Sequence, residues 1–174
     1  MVNKMPIRLL MNFVVDKSNN AIIVKREFAA PLPLVWDAFT KSEILDQWWA
    51  PKPWKTKTKS MDFREGGVWL YAMVGPEGEE HWSFAKYLSI QNQKNFTLED
   101  GFCDANGEVN NELPKSNWNT KFNKIEKGTL VEILISYDDL AQLEAIIQMG
   151  FKEGLTIAME GLDELLHSFQ QGEI

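Results

Sequence analysis

The feature that most constrains the fold is one amphipathic segment near the C-terminal end, residues 139–169. Apolar residues recur there at steps of three and four, which is the period of an α-helix, and they share one face: Phe151, Leu155, Ala158, Leu162, Leu165 and Phe169. Charged residues such as Glu160 and Asp163 lie outside that face. The segment therefore predicts the only long helix of the chain, and such a helix needs an apolar surface to cover.

Three glycines interrupt this predicted helix. Gly150, Gly154 and Gly161 are spaced by four and seven residues, so they mark one side of the helix, with Ile157 and Ala158 between them. A mid-helix glycine costs about 0.5–1 kcal/mol relative to alanine, so three of them need a physical reason. Two explanations stay open at this point: close packing with a kink at Gly150, or space left for a ligand.

The rest of the chain has the patterns of β-strands. Residues 7–15 and 21–29 are apolar, β-branched runs separated by turn-forming residues, which predicts a hairpin. Prolines followed by apolar residues predict short helical pieces across residues 31–49. Between residues 55 and 137 the apolar period is two, with glycine-containing turns, which predicts about five antiparallel strands.

These elements predict the architecture. A sheet that is apolar on one face must cover that face, and the terminal helix is the only large element available. We therefore predict an α+β helix-grip fold, a strongly curved antiparallel β-sheet wrapped around a long C-terminal α-helix, with two short helices after the second strand. At 174 residues and with no linker, residues 1–174 are expected to form one domain.

The chain carries seven Trp and ten Phe, whose rings must enter the core or contact a ligand. Strand alternation assigns Trp82 and Phe84 to the same face as Trp118 and Phe122. Large rings opposite a glycine-rich helix, with few polar atoms, are typical of a pocket for an apolar or aromatic small molecule. The residues predicted to line it are Trp36, Trp48, Trp49, Trp69, Trp82, Phe84, Trp118, Phe122, Gly150, Gly154, Ile157, Ala158 and Gly161. Rings that simply fill the space are the alternative.

The sequence gives little support to catalysis or metal binding. If Trp82 points inward, alternation turns its neighbour His81 to solvent, and His167 lies near the end of the terminal helix. Cys103 with His81 is the one conceivable Cys–His pair, and two distant histidines with one cysteine do not form a zinc site. We predict no catalytic residue, no metal and no cofactor.

Four carboxylates lie near strand ends, and two of them could meet across a sheet: Asp62, Glu65, Asp100 and Asp104. We interpret them as solvated carboxylates at turns. An enzyme would need one of them, or His81, inside the cavity.

Charge and cysteine content bear on partners and compartment. The net charge of −7 argues against a nucleic-acid-binding surface, which needs clustered Lys and Arg. One cysteine forms no internal disulfide, so a reducing cytoplasm is the expected setting. No apolar run approaches the length of a membrane span, and we expect no membrane partner. Pairing of an edge strand or of the N-terminal hairpin could produce a homodimer.

Several sequence motifs resemble the START-like, or Bet v 1-like, superfamily, and within it the proteins related to the C-terminal domain of the activator of the Hsp90 ATPase. They are residues 26–31, 35–40, 47–51 and 63–67, the loop 104–114 with Gly107, Asn110, Leu113 and Pro114, and residues 149–151 with Gly154 and Leu162. The resemblance extends from Ile22 to Leu166. It carries nothing over to residues 1–20.

The resemblance implies the helix-grip fold and a hydrophobic cavity between the sheet and the terminal helix. It implies several unlike roles: lipid, hormone or polyketide binding, cyclase or aromatase chemistry, self-sacrificing resistance to reactive natural products, and contact with a chaperone. The leading hypothesis is binding of a small hydrophobic or aromatic ligand. A protein-interaction module and a cavity enzyme of cyclase or hydrolase type are the alternatives.

Overall fold

The computed structural model describes residues 9–172 and has the predicted α+β architecture. In chain order its elements are β1 (Met11–Asp16), β2 (Ala21–Phe28), α1 (Leu32–Thr40), α2 (Ser42–Trp48), β3 (Lys55–Met61), β4 (Val68–Val74), β5 (Glu80–Gln91), β6 (Asn95–Cys103), β7 (Ser116–Ile125), β8 (Gly128–Tyr137), α3 (Leu140–Gln148) and α4 (Phe151–Gln170). Every strand pairs antiparallel, in the order β1-β2-β8-β7-β6-β5-β4-β3. The helix-grip fold is confirmed, with six strands after α2 instead of about five.

The N-terminal hairpin is confirmed as β1 and β2. Its turn is held by the Asp16 carboxylate, which accepts hydrogen bonds from the Ser18 backbone N–H and from the Asn19 side chain. Asn20 adopts the left-handed conformation, which asparagine tolerates better than most residues. Residues 7 and 8 of the first predicted strand lie outside the described residues.

The two short helices are also confirmed. Pro33 lies in the first turn of α1, where its missing N–H leaves no hydrogen bond unmade. The indole of Trp48, on α2, donates to the backbone oxygen of Ala38 in α1 over 2.9 Å. This buried hydrogen bond fixes α2 against α1, and both helices cover the inner face of the sheet.

The single helix predicted for residues 139–169 is wrong, because the structure breaks it at Gly150. There the backbone is left-handed, with φ of 88°, and this residue ends α3 and caps α4. An L-residue with a side chain is strained in that conformation, whereas glycine is not. Gly150 is therefore a helix boundary, and the expected kink at this position is a complete break.

The glycine-marked side of α4 does not face the sheet. The buried residues of this helix are Leu155, Ala158, Met159, Leu162 and Leu166. A Cβ atom at Gly154 would lie 3.6 Å from the Pro51 ring, and one at Gly161 would meet nothing within 4 Å. Ile157 is 43 % exposed. Of the five residues predicted on this side, only Ala158 is part of the buried core.

The inner face of the sheet holds the core. On β7 the residues Trp118, Thr120 and Phe122 point inward, as predicted, and the alternate residues are on the outer face. On β8 the inward residues are also those predicted, Val131, Ile133, Ile135 and Tyr137. The sequence pattern is clear on these two strands because one set of alternating positions is apolar and the other is polar.

On β5 the predicted faces are reversed. Tyr87 pairs with Leu98, which pairs with Trp118, so Tyr87 and Ala85 share the inner face with Trp118. Trp82 and Phe84 therefore lie on the outer face, and the prediction that they line a cavity with Trp118 is wrong. Both sets of alternating positions on β5 carry apolar residues, so alternation alone does not identify the buried set.

Candidate functional site

The structure contains a small cavity between the inner face of the sheet and the two short helices. Its volume is about 30 Å³, and most of its wall is aromatic. The lining residues are Phe39, Leu45, Trp49, Trp69, Tyr71, Ala85, Tyr87, Phe96, Leu98, Asp100, Trp118, Thr120 and Ile133. A space of this size holds one or two water molecules, whereas ligand sites usually measure about 300–1,000 Å³.

The cavity is not where the sequence placed it. Its helical wall comes from Phe39 on α1, Leu45 on α2 and Trp49 directly after α2, and no α4 residue is part of its lining. The terminal helix instead buries its own leucines in the adjoining core. The prediction of a cavity against the glycines of the terminal helix is thus wrong for this cavity.

Three predicted residues line the cavity: Trp49, Trp69 and Trp118. Three others, Trp36, Trp48 and Phe122, are buried in the same core without reaching it. Trp36 contacts the Phe122 ring at a centroid distance of 5.0 Å, so this part of the interior is filled by rings. The remaining predicted residues, on the outer face of β5 and along residues 150–161, do not line the cavity.

Asp100, on β6, lines the cavity, so its interpretation as a solvated turn carboxylate is wrong. It lies two positions after Leu98, so both side chains point inward. The Ser116 hydroxyl on β7 donates to Asp100 Oδ1, and the Trp118 indole donates to the Ser116 oxygen over 2.9 Å. The alternation of Phe96, Leu98 and Asp100 was the sequence signal that could have found it.

The environment of Asp100 disfavours its charged form. Burial raises the pKa of the Asp100 carboxyl to about 6, against an opposing effect of the hydrogen bond from Ser116. Among the ion pairs formed by residues 9–172, none involves Asp100. The cavity therefore contains a titratable group near neutral pH without a cationic partner from the described chain.

A tyrosine and a tryptophan form a second polar contact in the cavity wall. The indole of Trp49 donates to Tyr71 Oη over 3.2 Å, which leaves the phenolic proton of Tyr71 available to donate. Burial, with a smaller contribution from Asp100, raises the pKa of Tyr71, so this phenol is neutral at physiological pH. Trp49 is half-buried, whereas Trp69, Tyr71 and Trp118 are buried.

The other candidate residues do not form a site. His81 is exposed and packs on the Trp54 ring at 5.4 Å. Cys103 pairs with Trp82 on the outer face of the sheet, whereas His81 is on the inner side, so the two cannot act together. Burial raises the pKa of the Cys103 thiol, which makes it less reactive. The remaining carboxylates, Asp62, Glu65 and Asp104, are exposed, as is His167.

Within residues 9–172, no group of three or more His, Cys, Asp or Glu side chains is placed to hold a metal ion. No helix in the same range is both long enough and apolar enough to cross a membrane.

Comparison with protein families decides the affiliation of the chain. The family model described as activator of Hsp90 ATPase homolog 1-like protein matches residues 29–167. The chain belongs to this family. The match includes the helices α1, α2, α3, the strands that line the cavity, and most of α4. No curated protein matches the chain.

Solved structures of similar proteins share the fold of this family member. Protein Ms6760 from Mycobacterium smegmatis is 26% identical with a TM-score of 0.83, over 91% of this chain and 97% of that one. A protein from Arthrobacter aurescens is 25% identical with a TM-score of 0.85, over 90% and 91% of the two chains. The AHSA1 protein from Silicibacter pomeroyi, at 18% identity and a TM-score of 0.66 over 84% and 97%, shares the fold.

Proposed function

We propose that this family member binds a small hydrophobic or aromatic molecule in the interior between its sheet and its short helices. The observation that carries the proposal is the aromatic cavity with Asp100 in its wall. Ligand pockets are typically apolar with a few polar groups that orient the ligand, and this lining has that composition. A core that only needed stability would gain nothing from a carboxyl group at this position.

Binding of a ring-sized guest requires one wall of the cavity to move, because about 30 Å³ is too small for a benzene ring. Trp49 is the wall indole that is half-buried, and it lies directly after α2, outside the sheet. We therefore assign the movement to Trp49, whose hydrogen bond to Tyr71 must break as its ring turns outward.

The experiment is a hydrophobic compound library tested by thermal shift and native mass spectrometry. Ala85 is a buried residue of the cavity lining, so Ala85→Leu fills the space and should weaken binding of any hit at least tenfold. Ala141→Leu makes the same change at an exposed position of α3 and should leave binding unchanged. If Ala85→Leu fails to fold, Ala85→Val gives the smaller version of the test.

Two results contradict this proposal. Wild-type protein whose melting temperature and mass are unchanged by every compound has no guest of this class. A hit that binds Ala85→Leu as tightly as wild type lies elsewhere on the molecule.

Contact with a chaperone is the second candidate, and the family model that matches residues 29–167 favours it. The measurement is the ATPase rate of Hsp90 with and without the chain, together with recovery of chaperone in a pulldown. If the chain neither stimulates the ATPase nor recovers the chaperone, this role is excluded.

Asp100 also supports the cavity-enzyme alternative, since acid–base chemistry needs a group that titrates near the working pH.

A further inference from the structure

The Asp100 carboxylate limits the chemical class of ligand that this cavity would bind. It lies in a wall formed largely by rings, and no described residue forms an ion pair with it. A carboxylate removed from water is costly unless a cation or several hydrogen-bond donors compensate it. Within the site, Ser116 supplies one donor to Oδ1. The Trp118 indole and the Ser116 backbone also favour the ionised form, and Asp100 is half-buried, so a cation is the compensation that the described residues do not supply.

The rings around Asp100 favour a cation as that compensation. Trp49, Trp69, Tyr71 and Trp118 all line the cavity, and the Trp49 centroid lies 5.8 Å from Trp69 and 5.9 Å from Trp118. Aromatic faces attract ammonium groups, and clusters of such rings are used to recognise organic cations. An anionic guest such as a fatty acid would instead meet Asp100 as a like charge.

We propose that the guest is a small aromatic amine, whose ring occupies the space cleared by Trp49 and whose ammonium group pairs with Asp100. This inference rests on the proposed ligand-binding function and specifies the ligand class. Asp100 is the residue that contacts the amine, and the Tyr71 hydroxyl in the cavity wall supplies a donor for a second polar atom of the guest.

The test uses three compounds that share a phenyl ring and two chain carbons and differ in their polar group: 2-phenylethylamine, 2-phenylethanol and phenylacetate. Their affinities for the full chain are measured by isothermal titration calorimetry. Wild type should bind the amine at least tenfold more tightly than the alcohol, and the alcohol more tightly than the acid. Asp100→Asn should weaken amine binding at least tenfold and change alcohol binding less than twofold.

Glu99→Gln is the matched control, because Glu99 precedes Asp100 on β6 and alternation places it on the outer face. Its charge has only a minor effect on Asp100, so Glu99→Gln should change all three affinities less than twofold. The comparison of amine and alcohol in wild type keeps the test valid even if Asp100→Asn does not fold.

The outcomes separate this inference from the proposed function. Amine and alcohol that bind equally, or an amine preference that survives in Asp100→Asn, overturn the assignment to an amine and leave an apolar guest in place. If no member of this trio binds, the amine inference is overturned. If the hydrophobic library also gives no hit, the proposed function fails with it.

Discussion

The interior has two regions that use the same kinds of rings differently. In the packed end, formed by Trp36, Phe63 and Phe122, the Trp36 ring contacts Phe63 and Phe122 edge-on at 6.1 and 5.0 Å. In the polar end, formed by Trp49, Tyr71, Asp100, Ser116 and Trp118, rings share the space with hydroxyl and carboxyl groups. The comparison teaches that aromatic content alone does not identify a site. The polar group between the rings distinguishes the two regions.

The largest effect should come from emptying the packed end. Trp36→Ala removes a buried indole from a region filled by rings, and we expect a loss of about 3–5 kcal/mol in the free energy of unfolding, measured in urea. Trp82→Ala is the control on the outer face, where the indole is half-exposed, and should cost less than about 1 kcal/mol. Equal losses would mean that the two faces of β5 have been assigned wrongly.

In the polar end, removing the charge of Asp100 should raise the free energy of unfolding instead of lowering it. The pKa of Asp100 is raised from 3.8 to about 6, so between these values the folded state holds more protons than the unfolded state. Wild-type stability therefore falls as pH rises through this window, and the penalty is complete above it. Asp100→Asn removes the charge, so at pH 7.5 it should increase the free energy of unfolding by about 1–3 kcal/mol.

The pH dependence of that difference is its internal control. Well below pH 3.8 Asp100 is protonated in both states, and the two proteins should have nearly equal free energies of unfolding in urea titrations. A variant that is less stable than wild type at pH 7.5 would show that Asp100 serves the packing of the core, which would remove the distinction between the two ends.

Removing the hydrogen bond between Trp49 and Tyr71 should change the free energy of unfolding by a smaller amount. Trp49→Phe keeps a ring at the half-buried position and removes the donor to Tyr71 Oη, so we expect a loss of about 1 kcal/mol, measured by urea unfolding. Tyr71→Phe removes the other partner of the same bond, and the double variant should lose less than the sum of the two. Additive losses would show that the 3.2 Å contact contributes nothing to stability.

The smallest effect is expected on α4, away from both ends. A Cβ at Gly161 meets nothing within 4 Å, so Gly161→Ala should raise the free energy of unfolding by about 0.5–1 kcal/mol through helix propensity alone. Gly150→Ala places a side chain at φ of 88° and should destabilise the chain. Thermal melting of both variants and of wild type checks the two expectations. A stabilised Gly150→Ala would mean that residues 139–169 can form one continuous helix.

The order of elements could be predicted from the sequence because β7, β8 and α4 each have one apolar and one polar set of positions. The break at Gly150 could not, since the apolar period of the segment continues across it. On β5, apolar residues occupy both faces, and a register shift after Tyr87 returns Ile90 to the core side while Leu88 is exposed. Sequence alternation cannot show such a bulge.

The candidate site was harder to predict for a different reason. Trp49, Trp69 and Trp118 could be named from ring content, but their position beside α2 depends on how α1 and α2 pack together. Asp100 was interpreted with exposed carboxylates because its residue type is usually solvated. Its half-buried position in the cavity wall comes from pairing with Ser116 on the neighbouring strand, which local sequence does not report.

Phe84 packs closely against the outer face of the sheet. A Cβ at Gly101 would lie 2.9 Å from the Phe84 ring, so this ring presses on the β6 backbone directly next to Asp100. A Cβ at Gly107 would lie 3.9 Å from the Leu70 side chain, so the loop after β6 also packs over this region. The β6 wall is thus braced from behind, whereas Trp49 retains solvent access. A guest would therefore enter past Trp49, while the Asp100 carboxyl group keeps its position in the β6 wall.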